Sequence, residues 1–126
     1  MRTTKQESIA SIKHDLIKSK KIGNNTFEVV YKNGHRAIRL HKTDIVTFTA
    51  NRIFLNTNGW ETVTTKARMN EYLPTSHSSH LQKPARVFQR KHQWYVDTPD
   101  GEVPYYDNMM LDYEGYHCAV SGHYNP

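Results

Sequence analysis

The sequence predicts an α+β domain: an N-terminal amphipathic helix, a curved antiparallel sheet approaching a small barrel, and one short helix inserted after Trp60. Three observations predict it. Apolar residues recur at helical spacing near the N-terminus, at Ile9, Ile12, Leu16 and Ile17. From residue 26 the pattern changes to period two, with turn residues at intervals of about eight to ten, which is the signature of an antiparallel meander. A threonine-rich stretch at 62–65 then opens a third pattern that Pro74 stops.

The first helix is placed at residues 4–22. Thr4 and Glu7 have capping-box spacing, Lys18, Lys20 and Lys21 suit the negative end of the helix dipole, and Gly23 suits its close. The stripe packs on the following sheet or seals a homodimer. A β-rich core spans 24–112. "TFEVVY" turns through Asn33-Gly34 into "HRAIRLH", with Ile38 and Leu40 inward and Arg39 outward. "DIVTFT" and "RIFLN" follow, then a turn at Asn58-Gly59. Trp60 to Val63 reads as a short strand covering a joint, and "TTKARMNEYL" as a helix capped by Thr64 or Thr65 with Met69, Tyr72 and Leu73 on the sheet. A polar segment at 74–84 leads to the hairpin "ARVFQRK"/"QWYVDT", with Val87 and Trp94 inward. "PDG" at 99–101 is a turn, "EVPYYD" and "NMML" make a last pair of strands, and 113–126 is a tyrosine-containing tail. The whole is one domain of about six to eight strands.

Composition limits the function classes. Mean hydropathy is −0.80, and no apolar run reaches membrane-spanning length. The first 15 residues lack the apolar stretch of a secretory signal, and Cys118 is the single cysteine, so a cytosolic protein is the expected reading. All 17 Lys and Arg precede residue 92, whereas six of the 12 Asp and Glu fall in 97–114. The basic body attracts nucleic acid or anionic metabolites, unless the acidic end lies on it or on a neighbouring copy.

Two clusters follow from that charge. The first is the joint at the second helix, where Thr62, Thr64, Thr65, Lys66, Arg68 and Asn70 crowd hydrogen-bond donors near a helix start, with Trp60 and Tyr72 as stacking partners for a base. The second is a basic face for nucleic acid: Arg36 and Arg39, flanked by His35 and His41, with Arg86, Arg90 and Lys91 interleaved with Phe88, Trp94 and Tyr95. Alternation on a half-buried hairpin produces the same string. His77, His80, His117, His123 and Cys118 are too loosely spaced for a zinc site, so neither metal nor cofactor is expected. No poised nucleophile or acid cluster stands out at His41, Asp44, Asp107 or Asp112, so the protein reads as a non-enzyme; a metal-dependent nuclease is the residual enzymatic alternative.

The strand "NTFEVVYKNGHRAIRLHKTDIVTF", Gly59-Trp60, Thr64-Thr65-Lys66-x-Arg68-x-Asn70, "VFQR" and "YYDNMML", in that order over residues 24–112, resemble a widespread family of small tailed-phage proteins. The resemblance implies a phage protein made inside a bacterium and brings no catalytic residues. The function expected is therefore an early accessory protein that binds an anionic partner, foremost nucleic acid. The alternatives are an anti-defence protein that binds a host protein or sequesters a nucleotide-like signal, and a minor virion component.

Overall fold

A computed structural model describes residues 16–73 and 85–118. In chain order the elements are β1 (Leu16–Gly23), β2 (Thr26–Tyr31), β3 (Arg36–Leu40), β4 (Thr43–Phe48), β5 (Ile53–Leu55), α1 (Val63–Tyr72), β6 (Arg86–Arg90), β7 (Gln93–Thr98), β8 (Gly101–Pro104) and β9 (Met109–Leu111). They form a six-stranded antiparallel sheet in the order β1-β2-β3-β4-β5-β9 and a three-stranded antiparallel sheet β6-β7-β8. The helix α1 packs on β6 of the small sheet and on β3 and β4 of the large one.

This architecture corrects the expected α+β class. The described residues are mostly strand, with one short helix, two antiparallel sheets, no closed barrel and no N-terminal helix. The expected helix at 4–22 fails where it is described: Leu16–Gly23 is a strand paired with β2, from Leu16↔Tyr31 to Gly23↔Thr26. Of its stripe, Leu16 and Ile17 are exposed, Ile17 to 64%. Lysines favour helix, but propensity is a weak prior, and ladder formation with the neighbouring strand β2 overrides it. Residues 4–15 lie outside the described residues. Strand β1 is one edge of the large sheet, and its residues 16–21 are all exposed.

Two other expectations change. Trp60–Val63 is not a strand, because the helix already begins at Val63. The last two strands do not pair with each other: β8 extends the small sheet through Val96↔Val103, and β9 joins β5 through Phe54↔Met110.

Alternation along the strands sorts side chains onto two faces. One face of the large sheet contributes Ile38, Leu40, Val46, Ile53, Leu55, Met109 and Leu111, which pack with Met69 of α1, with Leu73 just after it, and with Val87, Trp94 and Val96 of the small sheet. The opposite face holds a second cluster of Val29, Tyr31 and Ala37, with Phe27 against it. A bulge changes the sorting in β4. The register jumps from Ile38↔Val46 to Arg39↔Asp44, leaving Ile45 as the extra residue, so that Asp44, Ile45 and Val46 are buried in succession.

That bulge brings Asp44 to Tyr31 and Arg39. The Tyr31 hydroxyl donates to Asp44 Oδ2, Arg39 Nε donates to Asp44 Oδ1 at 2.7 Å, and Arg39 Nη2 donates to the Tyr31 oxygen at 2.9 Å. Burial, then the Asp44 carboxylate, push the Tyr31 hydroxyl up to about 12 from its ordinary 10.0. Above pH 10 the unfolded chain loses a proton that the folded chain keeps until about pH 12. Stability is therefore expected to fall as pH rises through that window. Urea midpoints measured from pH 9 upward should show this decline, and Tyr31→Phe should make it shallower.

Candidate functional site

The joint expected at the second helix is present, with a different cap. Thr62 is the N-cap, with extended backbone (φ −110°, ψ 165°), and its Oγ1 accepts the Thr65 amide at 3.1 Å and lies 3.0 Å from Thr65 Oγ1. Thr64 and Thr65 thus lie inside the first turn. The preceding turn places Asn58 at φ +53° and Gly59 at φ +85°, and its last residue, Trp60, is 68% exposed. This turn is anchored from 50 residues away. Asp107 Oδ1 accepts the Thr57 amide at 2.8 Å, the Thr57 hydroxyl at 2.9 Å and the Tyr105 hydroxyl at 2.7 Å, while Oδ2 lies 3.4 Å from the Gly59 amide. Burial, then Asp107, push the Tyr105 hydroxyl well above its ordinary value, so it remains a donor to that carboxylate.

Beside this joint lies a cleft of about 860 Å³. Its walls come from four places: the β1–β2 turn (Asn24, Asn25), the β3–β4 turn (His41, Lys42, Thr43), the anchored turn (Thr57, Asn58, Trp60) and the start of α1 (Thr62, Thr64, Thr65, Arg68). Leu40 and Ile45 supply apolar lining. The first two turns are joined by the His41 amide donating to the Asn25 carbonyl at 2.8 Å, and both residues sit in the left-handed region. His41, Lys42 and Arg68 line the cleft, and among the described residues no carboxylate does. Arg68 is steered by Nε donating to Thr26 Oγ1 at 3.0 Å, with Glu71 at 3.4 Å from Nη1.

The expected donor cluster is therefore only partly assembled. Thr62, Thr64, Thr65 and Arg68 share the cleft with Trp60. Lys66 and Asn70 point elsewhere. Lys66 Nζ donates to Gln89 Oε1 at 3.2 Å and lies 5.6 Å from the centre of the Trp94 ring. Asn70 uses both ends of its amide on Val87, accepting its N–H at 2.8 Å and donating to its carbonyl at 2.9 Å. These two residues fasten α1 to β6, because an edge strand offers free backbone groups to an adjacent amide side chain. Of the stacking candidates, Tyr72 packs against the core and Trp94 is 2% exposed, edge-on to Tyr105. Trp60 alone of the three is open to a ligand.

The residues expected to form one basic face are divided between the sheets. Arg36 is on the large sheet, bonded to Glu28 at 2.7 Å with its guanidinium 5.0 Å from the Phe48 ring. Arg39 belongs to the Tyr31–Asp44 network. Arg86, Arg90 and Lys91 lie on or at the end of β6, where Arg90 binds Glu102 at 2.9 Å. Of the histidines weighed for zinc, His77, His80 and His123 lie outside the described residues. His117 Nε2 is 2.6 Å from the Tyr106 hydroxyl, and burial lowers its pKa. Among the described residues no three His, Cys, Asp or Glu are grouped to hold a metal ion.

Sequence reasoning does not place Asn25, Lys42 or Thr57 in a site, and it weighs His41 beside the basic face, Asn58 as a turn and Asp107 among candidate acids, none of them at this cleft. The one local signal was the asparagine pairing at 24–25 and the Asn-Gly at 58–59, both typical of left-handed turns. The family model described as Kyanoviridae Gp96 protein matches residues 1–114. No curated protein and no solved structure matches the chain.

Proposed function

The chain belongs to the Kyanoviridae Gp96 family and is a phage protein, and from that premise we propose that it is a non-enzymatic accessory protein that binds a small nucleotide-like anion in the cleft beside α1. One observation carries this reading: an exposed indole at Trp60 shares a cleft with His41, Lys42 and Arg68 and, among the described residues, with no acidic side chain. Its volume is within the range of about 300–1,000 Å³ typical of small-molecule sites. Nucleotides combine a ring for the indole with phosphates for the cations, and the hydroxyls and amides of the walls supply polar contacts. The proposed setting is the cytoplasm of the infected bacterium, where capture of such a molecule withholds a signal from a host defence. A single basic face for nucleic acid has less support, since its arginines lie on two sheets and Arg36, Arg39 and Arg90 each meet a carboxylate.

Thermal shift with mononucleotides and cyclic nucleotides tests the reading, because a ligand that binds the folded state alone raises the melting temperature. At least one nucleotide is expected to do so. Trp60→Ala should weaken its binding roughly tenfold, the scale of one lost stacking contact. Since Trp60 is exposed, the same change should leave the ligand-free melting temperature nearly unaltered. Lys42→Glu with Arg68→Glu should abolish the response. If no nucleotide shifts the wild-type protein, the reading fails, and a pull-down from host lysate becomes the test for a protein partner.

A further inference from the structure

We propose that the outer face of the three-stranded sheet is a separate binding surface for single-stranded nucleic acid, centred on Phe88 and Tyr95. Alternation sends Val87, Trp94 and Val96 into the core and turns Arg86, Phe88, Arg90 and Tyr95 to the other side. Phe88 and Tyr95 are direct partners in the β6–β7 register, with ring centres 5.6 Å apart and planes 22° from parallel. Guanidinium groups flank the pair. Arg86 lies 5.1 Å from the Phe88 centre, and Arg90 lies 5.7 Å from Phe88 and 4.6 Å from Tyr95.

The hairpin tip adds a second observation. Lys91 and His92 take φ +53° and +70°, a left-handed pair that favours asparagine and glycine. At 33–34 and 58–59 the chain uses Asn-Gly for its turns. Here it keeps two bulky, basic-type side chains in a conformation that costs roughly tenfold in equilibrium population at each residue, beside Arg90.

Half-buried rings covered by guanidinium planes suit a strand whose bases are open, since a base stacks on a guanidinium plane as on a ring, and whose phosphates run alongside. A duplex hides its base faces and offers only phosphates, so it fits this surface less well. The acids on the face set the affinity. Glu102 holds Arg90 at 2.9 Å, and Asp97 stands opposite Arg86 in the register. A bound strand competes with Glu102 for Arg90, which makes Glu102 a brake on binding. The proposal does not depend on the cleft.

The test is fluorescence anisotropy of the full chain with labelled ten-nucleotide oligo-dT and oligo-U, and with a duplex of equal length. Single strands are expected to bind at least roughly tenfold more tightly than the duplex, with log K falling against log salt at a slope of about −2 if three cations are engaged. Phe88→Leu with Tyr95→Leu, which retains apolar bulk on the sheet, should weaken binding roughly tenfold or more. Glu102→Gln should tighten it severalfold, a gain that loss of folding cannot mimic. Trp60→Ala should leave it unchanged. Absence of oligonucleotide binding at low salt, equal binding of duplex, or loss with Trp60→Ala while the Phe88/Tyr95 variant binds normally would each overturn the proposal. The last result would assign polynucleotide to the cleft instead.

Discussion

Asp44→Ala is expected to destabilise the protein by about 3–5 kcal/mol, the usual result of removing one member of a buried ion pair. Asp44 is buried and accepts from both Tyr31 and Arg39. Without it, the tyrosine hydroxyl loses its acceptor and the guanidinium loses its counter-charge beneath the sheet. Arg39→Met should cost a comparable amount, because it leaves the buried Asp44 carboxylate with only the Tyr31 hydroxyl as partner. Adding Arg39→Met to Asp44→Ala should restore part of the loss, since the charge stranded by the first change is then absent. Urea denaturation of the two single variants and the double variant measures this coupling. If Arg39 instead served a nucleic-acid partner, Arg39→Met would leave the midpoint unchanged and reduce affinity.

Asp107→Ala should cost about 2–3 kcal/mol by leaving the buried Thr57 and Tyr105 donors without an acceptor. It should also abolish nucleotide-induced stabilisation at temperatures where the variant is still folded, because the turn that carries Trp60 loses its anchor. The three shortest of these contacts converge on Oδ1. Asp107→Asn can keep that oxygen in place, so its cost should be roughly half that of the alanine variant. Melting curves with and without nucleotide separate the two effects. Trp60→Ala should weaken binding alone, whereas Asp107→Ala should weaken both binding and stability.

Local periodicity made much of the fold legible. Strands β2 to β7 and the helix carrying Met69 lie close to where the apolar pattern places them, and Val87 and Trp94 face inward as expected. Two of the failures share a physical origin, strand pairing that the segment's own residues do not specify. Leu16 and Ile17 fit a helical stripe, but β2 supplied a ladder for that segment. The pairing of β9 with β5 joins residues more than 50 positions apart, and nothing in "NMML" specifies it. Arg39 does point away from the main core, as alternation requires, but the β4 bulge delivers Asp44 to it.

The site was legible to the same degree. Thr62, Thr64, Thr65, Arg68 and Trp60 are close in sequence and meet in the cleft. Lys66 and Asn70 belong to the same helix yet reach β6, because a turn of α-helix points its side chains all round. Half of the wall comes from turns at 24–25 and 41–43, which only sheet pairing brings to the helix. The sequence reads Trp94 both as an inward residue and as a stacking partner; the structure buries it and leaves its neighbour Tyr95 on the other side. The phage resemblance rested on the order of several elements along the chain, and the family match to residues 1–114 supports a phage protein family.

Strand β1 bears on how copies of this protein behave when crowded. A long edge strand is a template on which a second molecule can continue the sheet, and repetition of that event leads to aggregates. Lys18, Lys20 and Lys21 are exposed along this one. Two molecules meeting edge to edge bring like ammonium groups together at each added strand, so a lysine-rich border discourages runaway polymerisation.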